Sequence, residues 1–576
     1  MPKRPEELRS HRWLGTAGLR SFGHRSRLLQ IGYDRADFAG KPVVGIVNTW
    51  SDANPCHVHL RTRADEVKRG VWQAGGFPLE LPAMSLSENL MKPTTMLYRN
   101  FLAMETEELI RSQPIDGVVL LGGCDKTIPA LLMGAASVDL PAVVVPGGPM
   151  LTGTFRGVPL GCGTDVWRLS EEVRAGTLSA DEFRRSESSM IRSRGHCNTM
   201  GTASTMGLLA EVLGMTLPGI AGTPAPDSRL LSSAHETGVL AVEMVAAGRR
   251  PSTVLSRASF LNAIVALAAI GGSTNAVVHL LAIAGRLGIP LTQDDFDDVG
   301  SEVPLLVDLQ PAGRFLMEDL FRAGGLHAVL REVVDLLDPS AQTVTGRPFV
   351  SVLDGAEAYD REVIRPRSAP LQPAAGIAVL YGNLAPDGAV IKPAAATPSL
   401  LTHRGPAVVF DSIEDVHARL DDPSLPVTPD SVLILRGCGP RGYPGMPEVS
   451  NLPLPAKLLE AGVRDMVRIC DGRMSGTAYG TVVLHVTPEA ALGGPLAKVR
   501  TGDIIVLDVP NRRLDVDIPD EELNARLPEP AAVKAFAAPT RGWEKLYVDT
   551  VGQANTGADL DFLVGGSGDE VSRESH

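Results

Sequence analysis

The chain has 576 residues, 44% of them apolar, with 59 Gly, 44 Pro and a formal net charge of -13. Such a length predicts two to four domains with sizeable cores, and the few aromatic residues with many Gly and Pro point to a loop-rich α/β enzyme rather than a disordered chain. The negative balance excludes nucleic acid as the main partner, because that affinity comes from Lys and Arg neutralising phosphates.

At the N-terminus MPKRPEELRSHRW carries basic residues with no apolar stretch behind them, unlike a secretory signal. KPVVGIVNTW (41–50), FPLELPAMS (77–85), IDGVVLLGG (115–123) and PAVVVPGG (141–148) are β-branched runs ended by turn residues, as buried parallel strands are. Between the first two, Leu60, Ala64, Val67 and Val71 recur at helical spacing, and Gly75-Gly76 supplies a stop. This βαβ pattern predicts an α/β N-terminal domain, a parallel sheet flanked by helices, over 1–365. The most apolar region, SFLNAIVALAAIGGSTNAVVHLLAIAGRLGIP, is broken at Gly271-Gly272-Ser273-Thr274-Asn275. Each half is too short to span a bilayer, so it predicts two buried helices and no membrane contact.

The Pro-rich stretch REVIRPRSAPLQPAAG (361–376) is the predicted boundary. Beyond it, GIAVLYGNLAPDGAVIKPAA, GPAVVFDSIEDV, DSVLILRGCGP, DMVRICDGRMSG and GDIIVLDVPNRRLDVDI read as strands joined by Gly- and Pro-rich turns. They predict a β-rich, barrel-like domain over 373–556. The tail, 557–576, is Gly- and Ser-rich and stays disordered unless something docks it. Six cysteines in so long a chain make no disulfide framework, which fits a reducing cytoplasm.

Several stretches carry candidate chemistry. LLGGCDKTIP resembles a phosphate loop only superficially, since Asp125 stands where the glycine before the lysine must let the backbone approach a phosphate. Cys56, Cys124 and Cys197 each precede a helical segment, where the helix dipole and free N–H groups favour a thiolate. Their wide spacing matches no zinc ribbon or ferredoxin, so the residues alone leave inert core thiols and a metal site both open. Glu88, Asp125 and Glu448 are oxygen donors of the kind that suits magnesium, and Lys126 could join them only with a carboxylated amine. His57 and His59 in PCHVHL would make a metal pair if they faced one side of a strand. In DGRMSGTAYG, Ser475 lacks the G-x-S-x-G context of a hydrolase nucleophile, and a turn serine is the competing reading.

Taken in order, PCHVHL, GGCDKTIPALLMGAAS, GHCNTMGTASTM, IGGSTNAVVHLLAIA, GYPGMPEV and DGRMSGTAYGTVVLHVTPEAALGGPLAKVRTGDII resemble the dehydratases that include dihydroxyacid, phosphogluconate and sugar-acid (aldonate) dehydratases. The resemblance spans nearly the whole chain. It implies an iron-sulfur enzyme that removes water from a 2,3-dihydroxy acid to give a 2-keto-3-deoxy acid. It implies Cys56, Cys124 and Cys197 as ligands of a [2Fe-2S] cluster, and Glu88, Asp125, Glu448 and carbamylated Lys126 as ligands of Mg2+. It further implies Ser475 as proton acceptor, Thr477 as a substrate contact, and a homodimer or homotetramer.

Such chemistry needs these groups together. Taking the C2 proton builds charge on the carboxylate, which a divalent cation stabilises. Three cysteines leave one iron open to the C3 hydroxyl, whereas a fourth would close the site and favour electron transfer. A serine becomes a base only beside a cation that lowers its pKa.

TWSDANPCHVHL through SLSENL, and GGPMLTGTFRGVPLGCGTDVW, resemble most the pentonate branch, acting on arabinonate or xylonate. Glu88 and Met474 agree with that branch, and the tail is expected to dock at an active site. Branched-chain dihydroxyacids are the alternative substrates. A [2Fe-2S] electron carrier completed by Cys438 is the rival of another class. His57 stands where relatives commonly carry asparagine; it could bond a cluster sulfur or compete as a ligand.

Overall fold

The computed structural model describes residues 3–533 and 538–570. The four β-branched runs pair as one parallel sheet: β1 (Val43–Asn48), β2 (Phe77–Pro82), β3 (Gly117–Gly122) and β4 (Ala142–Pro146), in the order β2-β1-β3-β4. β1, β3 and β4 are buried along their whole length, which is why their sequences run apolar without alternation. Asn48 pairs with Pro82 on one side and Leu121 on the other, and Gly122 pairs with Pro146. The strands therefore end level, and the loops leaving their carboxyl ends emerge side by side.

Helices α1 (Leu60–Gln73), α2 (Thr95–Ser112) and α3 (Thr127–Val138) make the crossovers. α1 buries the anticipated Leu60, Ala64, Val67 and Val71 and ends at Gly75, whose φ is +81°. α3 is buried at every position, as its apolar sequence requires. After β4 a short hairpin (Gly153–Phe155 and Val158–Leu160) leads into α4 (Thr164–Arg174), and α5 (Thr202–Val212) is again wholly buried. α6 (Arg229–Ala247) crosses α1 at paired glycines: a Cβ on Gly70 would fall 1.9 Å from the His235 carbonyl oxygen. The long apolar region becomes α7 (Arg257–Ala269) and α8 (Asn275–Arg286), split at Gly271 as anticipated. Among the described residues, no helix is long and apolar enough to cross a membrane.

The later strands are β5 (Ala378–Gly382), β6 (Ala385–Ile391), β7 (Thr402–Phe410), β8 (Val432–Leu435), β9 (Arg468–Cys470), β10 (Val482–Leu484), β11 (Ile504–Asp508) and β12 (Arg513–Val516). They close into an eight-stranded mixed barrel in the order β8-β9-β10-β6-β5-β12-β11-β7. Alternation sorts their side chains: Val432 and Ile434 join one apolar cluster, Leu433 and Leu435 another on the opposite face. β10 and the hairpin were not anticipated as strands. Each strand has three residues, too few for alternation to identify.

Both the stretch that leads into the tail and the tail's described part, 557–570, are docked. α9 (Gly542–Thr550) sets Trp543 against Phe101, and Arg99 donates to the carbonyls of Gly557 and Ala558. Buried Asp559 and Arg286 pair at 2.6 Å, and the N–H of Ser567 bonds the Ser137 carbonyl at 2.8 Å. Ser137 lies at the far end of α3 from Lys126, about 16 Å away by the helical rise. The described tail thus docks on the same chain's α2, α3 and α8, and its far end at Ser137 lies away from the loops at the carboxyl ends of the strands; the last six positions, 571–576, lie outside the described residues.

Candidate active site

The loops at the carboxyl ends of the parallel strands carry the chemistry, as is usual for open α/β sheets. Cys56 follows β1, Glu88 follows β2, and Cys124, Asp125 and Lys126 follow β3 directly. The barrel lies against them and contributes Glu448, Ser475 and Thr477. Between them is a cavity of about 300 Å3, lined by Cys56, Cys124, Cys197, Glu88, Glu448 and Ser475 among others.

Lys126 is the centre of the polar half. Its buried Nζ lies 2.7 Å from Glu448 Oε1, 3.2 Å from Glu88 Oε2 and 3.3 Å from Asp125 Oδ2. Burial opposes its charge, but the three carboxylates outweigh burial and raise its pKa. Glu448 Oε1 also accepts from Arg473 and from Asn275 Nδ2, both at 3.0 Å. Glu88 caps the start of α2, accepting from Thr94 Oγ1 at 2.9 Å, from the Thr95 N–H at 3.1 Å and from the Thr95 hydroxyl. Burial opposes ionisation of Glu88, yet Lys126, Arg473 and these hydroxyls hold its pKa down to about 2. Burial pushes that of Glu448 up.

Three carboxylates around one cationic centre are a donor set suited to a hard divalent ion. An ammonium has three protons to donate and no lone pair, so Lys126 fits such a shell only after its amine becomes a carbamate. As a free amine it balances the carboxylates itself.

The thiols occupy the other half. Cys56 and Cys124 line the cavity together, and Cys197 Sγ lies 3.8 Å from Cys162 Sγ. This convergence fits an iron-sulfur cluster, which thiolates hold from several loops. The helix N-termini do not, by themselves, make these groups thiolates: the neighbouring thiol first, then burial, raises the pKa of both Cys56 and Cys197 well above the usual value. Crowded sulfurs with Asp125 nearby outweigh the dipole.

Ser475 and Thr477 form a turn at the mouth of the cavity. Their hydroxyls lie 2.9 Å apart, and the Thr477 N–H donates to Ser475 Oγ at 3.3 Å. Between them Gly476 meets α5 closely; a Cβ there would fall 2.6 Å from the Thr202 nitrogen.

His57 and His59 do not form a metal pair. They lie in a turn rather than on a strand, and bond different backbone segments. His57 Nε2 accepts the N–H groups of Gly123 and Cys124, while His59 Nε2 bonds the Gly147 carbonyl at 2.8 Å. His57 thus supports the backbone of the cysteine loop, and its Nε2 is occupied by those two N–H groups.

Cys438 does not complete a fourth thiolate for the cavity either. It packs beside Cys470 in the barrel, and their ligating atoms and that of Asp471 lie within 4.8 Å of one another. Asp471 is taken up by the N–H groups of Gly437, Cys438 and Ala490. The cysteine that does face the cavity is Cys162. It was assigned no role from sequence, although GCGTDVW places it just before a helix, like the other three. Arg473 and Asn275 were also missed; both sit in quoted motifs, but only the fold aims them at Glu448.

Sheet and barrel together enclose one acidic, thiol-lined cleft of the kind in which an enzyme works. A family model described as Dihydroxy-acid/6-phosphogluconate dehydratase N-terminal matches residues 41–351, and its C-terminal counterpart matches 362–558. The chain belongs to the dihydroxy-acid/6-phosphogluconate dehydratase family, whose members are hydro-lyases. It is 53% identical over 574 residues to an L-arabinonate dehydratase of Rhizobium leguminosarum bv. trifolii, covering 99% of each chain. It is 53% identical over 576 residues to an L-arabonate dehydratase of Azospirillum brasilense, again 99% of each. A 6-deoxy-6-sulfo-D-gluconate dehydratase of Pseudomonas putida is 52% identical over 567 residues, 98% of each. These likenesses place the chain in the sugar-acid branch.

Proposed function

We propose that this protein dehydrates an aldonate of the L-arabinonate or D-xylonate kind to its 2-keto-3-deoxy acid, using a [2Fe-2S] cluster and Mg2+. The observation that carries this reading is the single cavity that gathers the thiols of Cys56, Cys124 and Cys197, the carboxylates of Glu88, Asp125 and Glu448 around Lys126, and the Ser475–Thr477 turn. When bound, the cluster would supply a Lewis acid for the departing C3 hydroxyl, and the magnesium would supply positive charge for the carboxylate and C2 hydroxyl.

The chain's own residues divide the remaining work. Ser475 Oγ, as alkoxide, takes the C2 proton; the electrons of that C–H bond form the C2–C3 double bond, and the C3 hydroxide leaves with the proton that Ser475 has just taken, as water, which restores the alkoxide. The resulting enol becomes the 2-keto acid by proton transfer to C3. Thr477 aims its N–H and its hydroxyl at Ser475 Oγ, two donors that favour the alkoxide. Arg473 and Asn275 fix Glu448, and Thr94 and Thr95 fix Glu88, so that the carboxylates are held before substrate enters.

The test is a keto-acid assay of the reconstituted protein with L-arabinonate, D-xylonate, 6-deoxy-6-sulfo-D-gluconate and 2,3-dihydroxyisovalerate. Turnover is expected with a pentonate and not with dihydroxyisovalerate. Preference for dihydroxyisovalerate over every sugar acid would overturn the substrate reading.

A further inference from the structure

Cys162 has no part in the site just described, yet its sulfur sits where a ligand's would. It lies 3.8 Å from Cys197 Sγ and faces the cavity that also holds Cys56, Cys124 and Ser475. Two thiolates bound at about 2.3 Å to one tetrahedral metal ion stand about 3.8 Å apart. Cys56 and Cys124 line the same cavity. Four thiols lining one cavity, two of them 3.8 Å apart, are the donor set of a closed [2Fe-2S] cluster.

We propose that Cys162 is a fourth thiol donor of the cluster site, sharing an iron with Cys197 until substrate exchanges with it. The inference rests on the cluster reading given above and adds a ligand to it.

The local structure suits a ligand that is held but can be released. The Cys162 N–H donates to Asn198 Oδ1 at 2.8 Å, and Asn198 Nδ2 donates to the Leu160 carbonyl at 3.2 Å. The residue after Cys197 therefore fixes the loop that carries Cys162, which sets the two sulfurs together. On its other side stands Gly163, with φ of +90°, where a Cβ would fall 2.4 Å from Thr477 Oγ1. Thr164 Oγ1 then donates to the Thr477 carbonyl at 2.8 Å. One short segment thus touches both the thiol pair and the Ser475–Thr477 turn.

Cys162 is also partly exposed, whereas Cys56 and Cys124 are buried. It lines the same cavity as Ser475. Glycines at 161 and 163 flank it, and α4 begins immediately after, so the thiol can turn aside without disturbing the sheet. A substrate hydroxyl would gain that position only once the Cys162 side chain had turned away from it. Without substrate Cys56, Cys124, Cys162 and Cys197 would hold the cluster together and would shield it from solvent oxidants.

The experiment compares wild type with Cys162→Ser and Cys162→Ala, all reconstituted, by iron and acid-labile sulfide content and by Mössbauer and visible circular dichroism spectra, with and without L-arabinonate. Wild type without substrate should show two irons in like, all-sulfur surroundings, and addition of L-arabinonate should make one of them distinct. Both variants should hold the same iron and sulfide but show the distinct iron before substrate is added. Their KM should fall several-fold, because no thiol has to be displaced. Identical substrate-free spectra for wild type and both variants would overturn the proposal while leaving the cluster reading intact. A Cys162–Cys197 disulfide persisting in the reconstituted wild type, seen by mass after thiol blocking, would overturn it as well. Absence of iron and sulfide from reconstituted wild type would defeat the cluster reading and this proposal together.

Discussion

The imidazole of His57 holds the backbone that carries Cys124: Nε2 accepts the N–H of Cys124 at 2.9 Å and that of Gly123 at 3.0 Å. Nδ1 then carries the proton and donates to the Thr49 carbonyl at 3.0 Å. Burial pushes the His57 pKa down to about 3, so the ring stays neutral and keeps its acceptor.

His57→Ala leaves two buried N–H groups without an acceptor, at about 1–3 kcal/mol each. Thermal unfolding should show that loss, and iron content after reconstitution should fall. His57→Asn should recover part of both, because an amide oxygen can accept in the same direction. Unchanged stability and iron in His57→Ala would remove the ring from any supporting role.

Lys126 separates a charge role from a carbamate role. Lys126→Met leaves Glu88, Asp125 and Glu448 with Arg473 as their remaining nearby cation in the metal-free protein, a loss of up to about 3–5 kcal/mol. Lys126→Arg keeps the positive charge but cannot be carbamylated. It should retain most of the stability while turnover drops about a thousand-fold, the scale of several kcal/mol that a catalytic metal supplies. Bicarbonate should raise wild-type activity and leave Lys126→Arg unaffected.

Ser475→Ala should lower kcat by about 10^2 to 10^4, the range of a general base, with KM nearly unchanged. Thr477→Val keeps shape but loses the hydroxyl 2.9 Å from Ser475 Oγ. A lost hydrogen bond to a charged oxygen is worth about 1.5–3 kcal/mol, so kcat should fall about 10- to 100-fold, and Thr477→Ser should restore it.

Acid should unfold the metal-free protein through its neutral histidines. Burial holds His57 and His485 down to about 3, and His59 and His196 down to about 4. Folded values below the ordinary 6.5 mean that their stabilisation is whole above pH 6.5 and is lost as pH falls toward 4 and 3. At pH 5 each should already have lost about 2 kcal/mol relative to pH 8. Glu489 acts in the opposite sense: burial, with Asp471 nearby, raises it to about 7, so its contribution is whole below 4.5 and lost as pH rises through 7. Melting temperatures from pH 8 to 5 should fall steadily, and more steeply in Glu489→Gln. A flat profile would contradict the assignment.

The docked tail should matter for stability rather than for chemistry. Asp559→Ala leaves buried Arg286 with Glu107 as its counter-charge at 3.2 Å and should cost up to about 3–5 kcal/mol. Truncation after Gly566 removes the bonds to Ser137 and should lower the melting temperature slightly while leaving turnover unchanged.

Much of this was legible in the residues. β1, β3 and β4 announce themselves as continuous β-branched runs, and α1 as a helical repeat of Leu60, Ala64, Val67 and Val71, because these signals depend on neighbours within a few positions. β10 escaped, since three residues show no period. The ordered motifs carried the family resemblance, and with it the expected roles of Cys56, Cys124, Cys197, Ser475 and the ligands around Lys126. The support of Cys124 by His57 did not show, because a ring's direction depends on how its turn packs.

The sequence by itself therefore determined the elements, their order, the family and the residue types available for chemistry. Only the tertiary structure decided which of them meet. Glu448 reaches Lys126 across 322 positions of chain, and Cys162 rather than Cys438 stands beside Cys197. The reason is physical: periodicity and turn preference are local, whereas the pairing of buried charges and thiols follows from how the strand ends of the sheet are packed against the barrel.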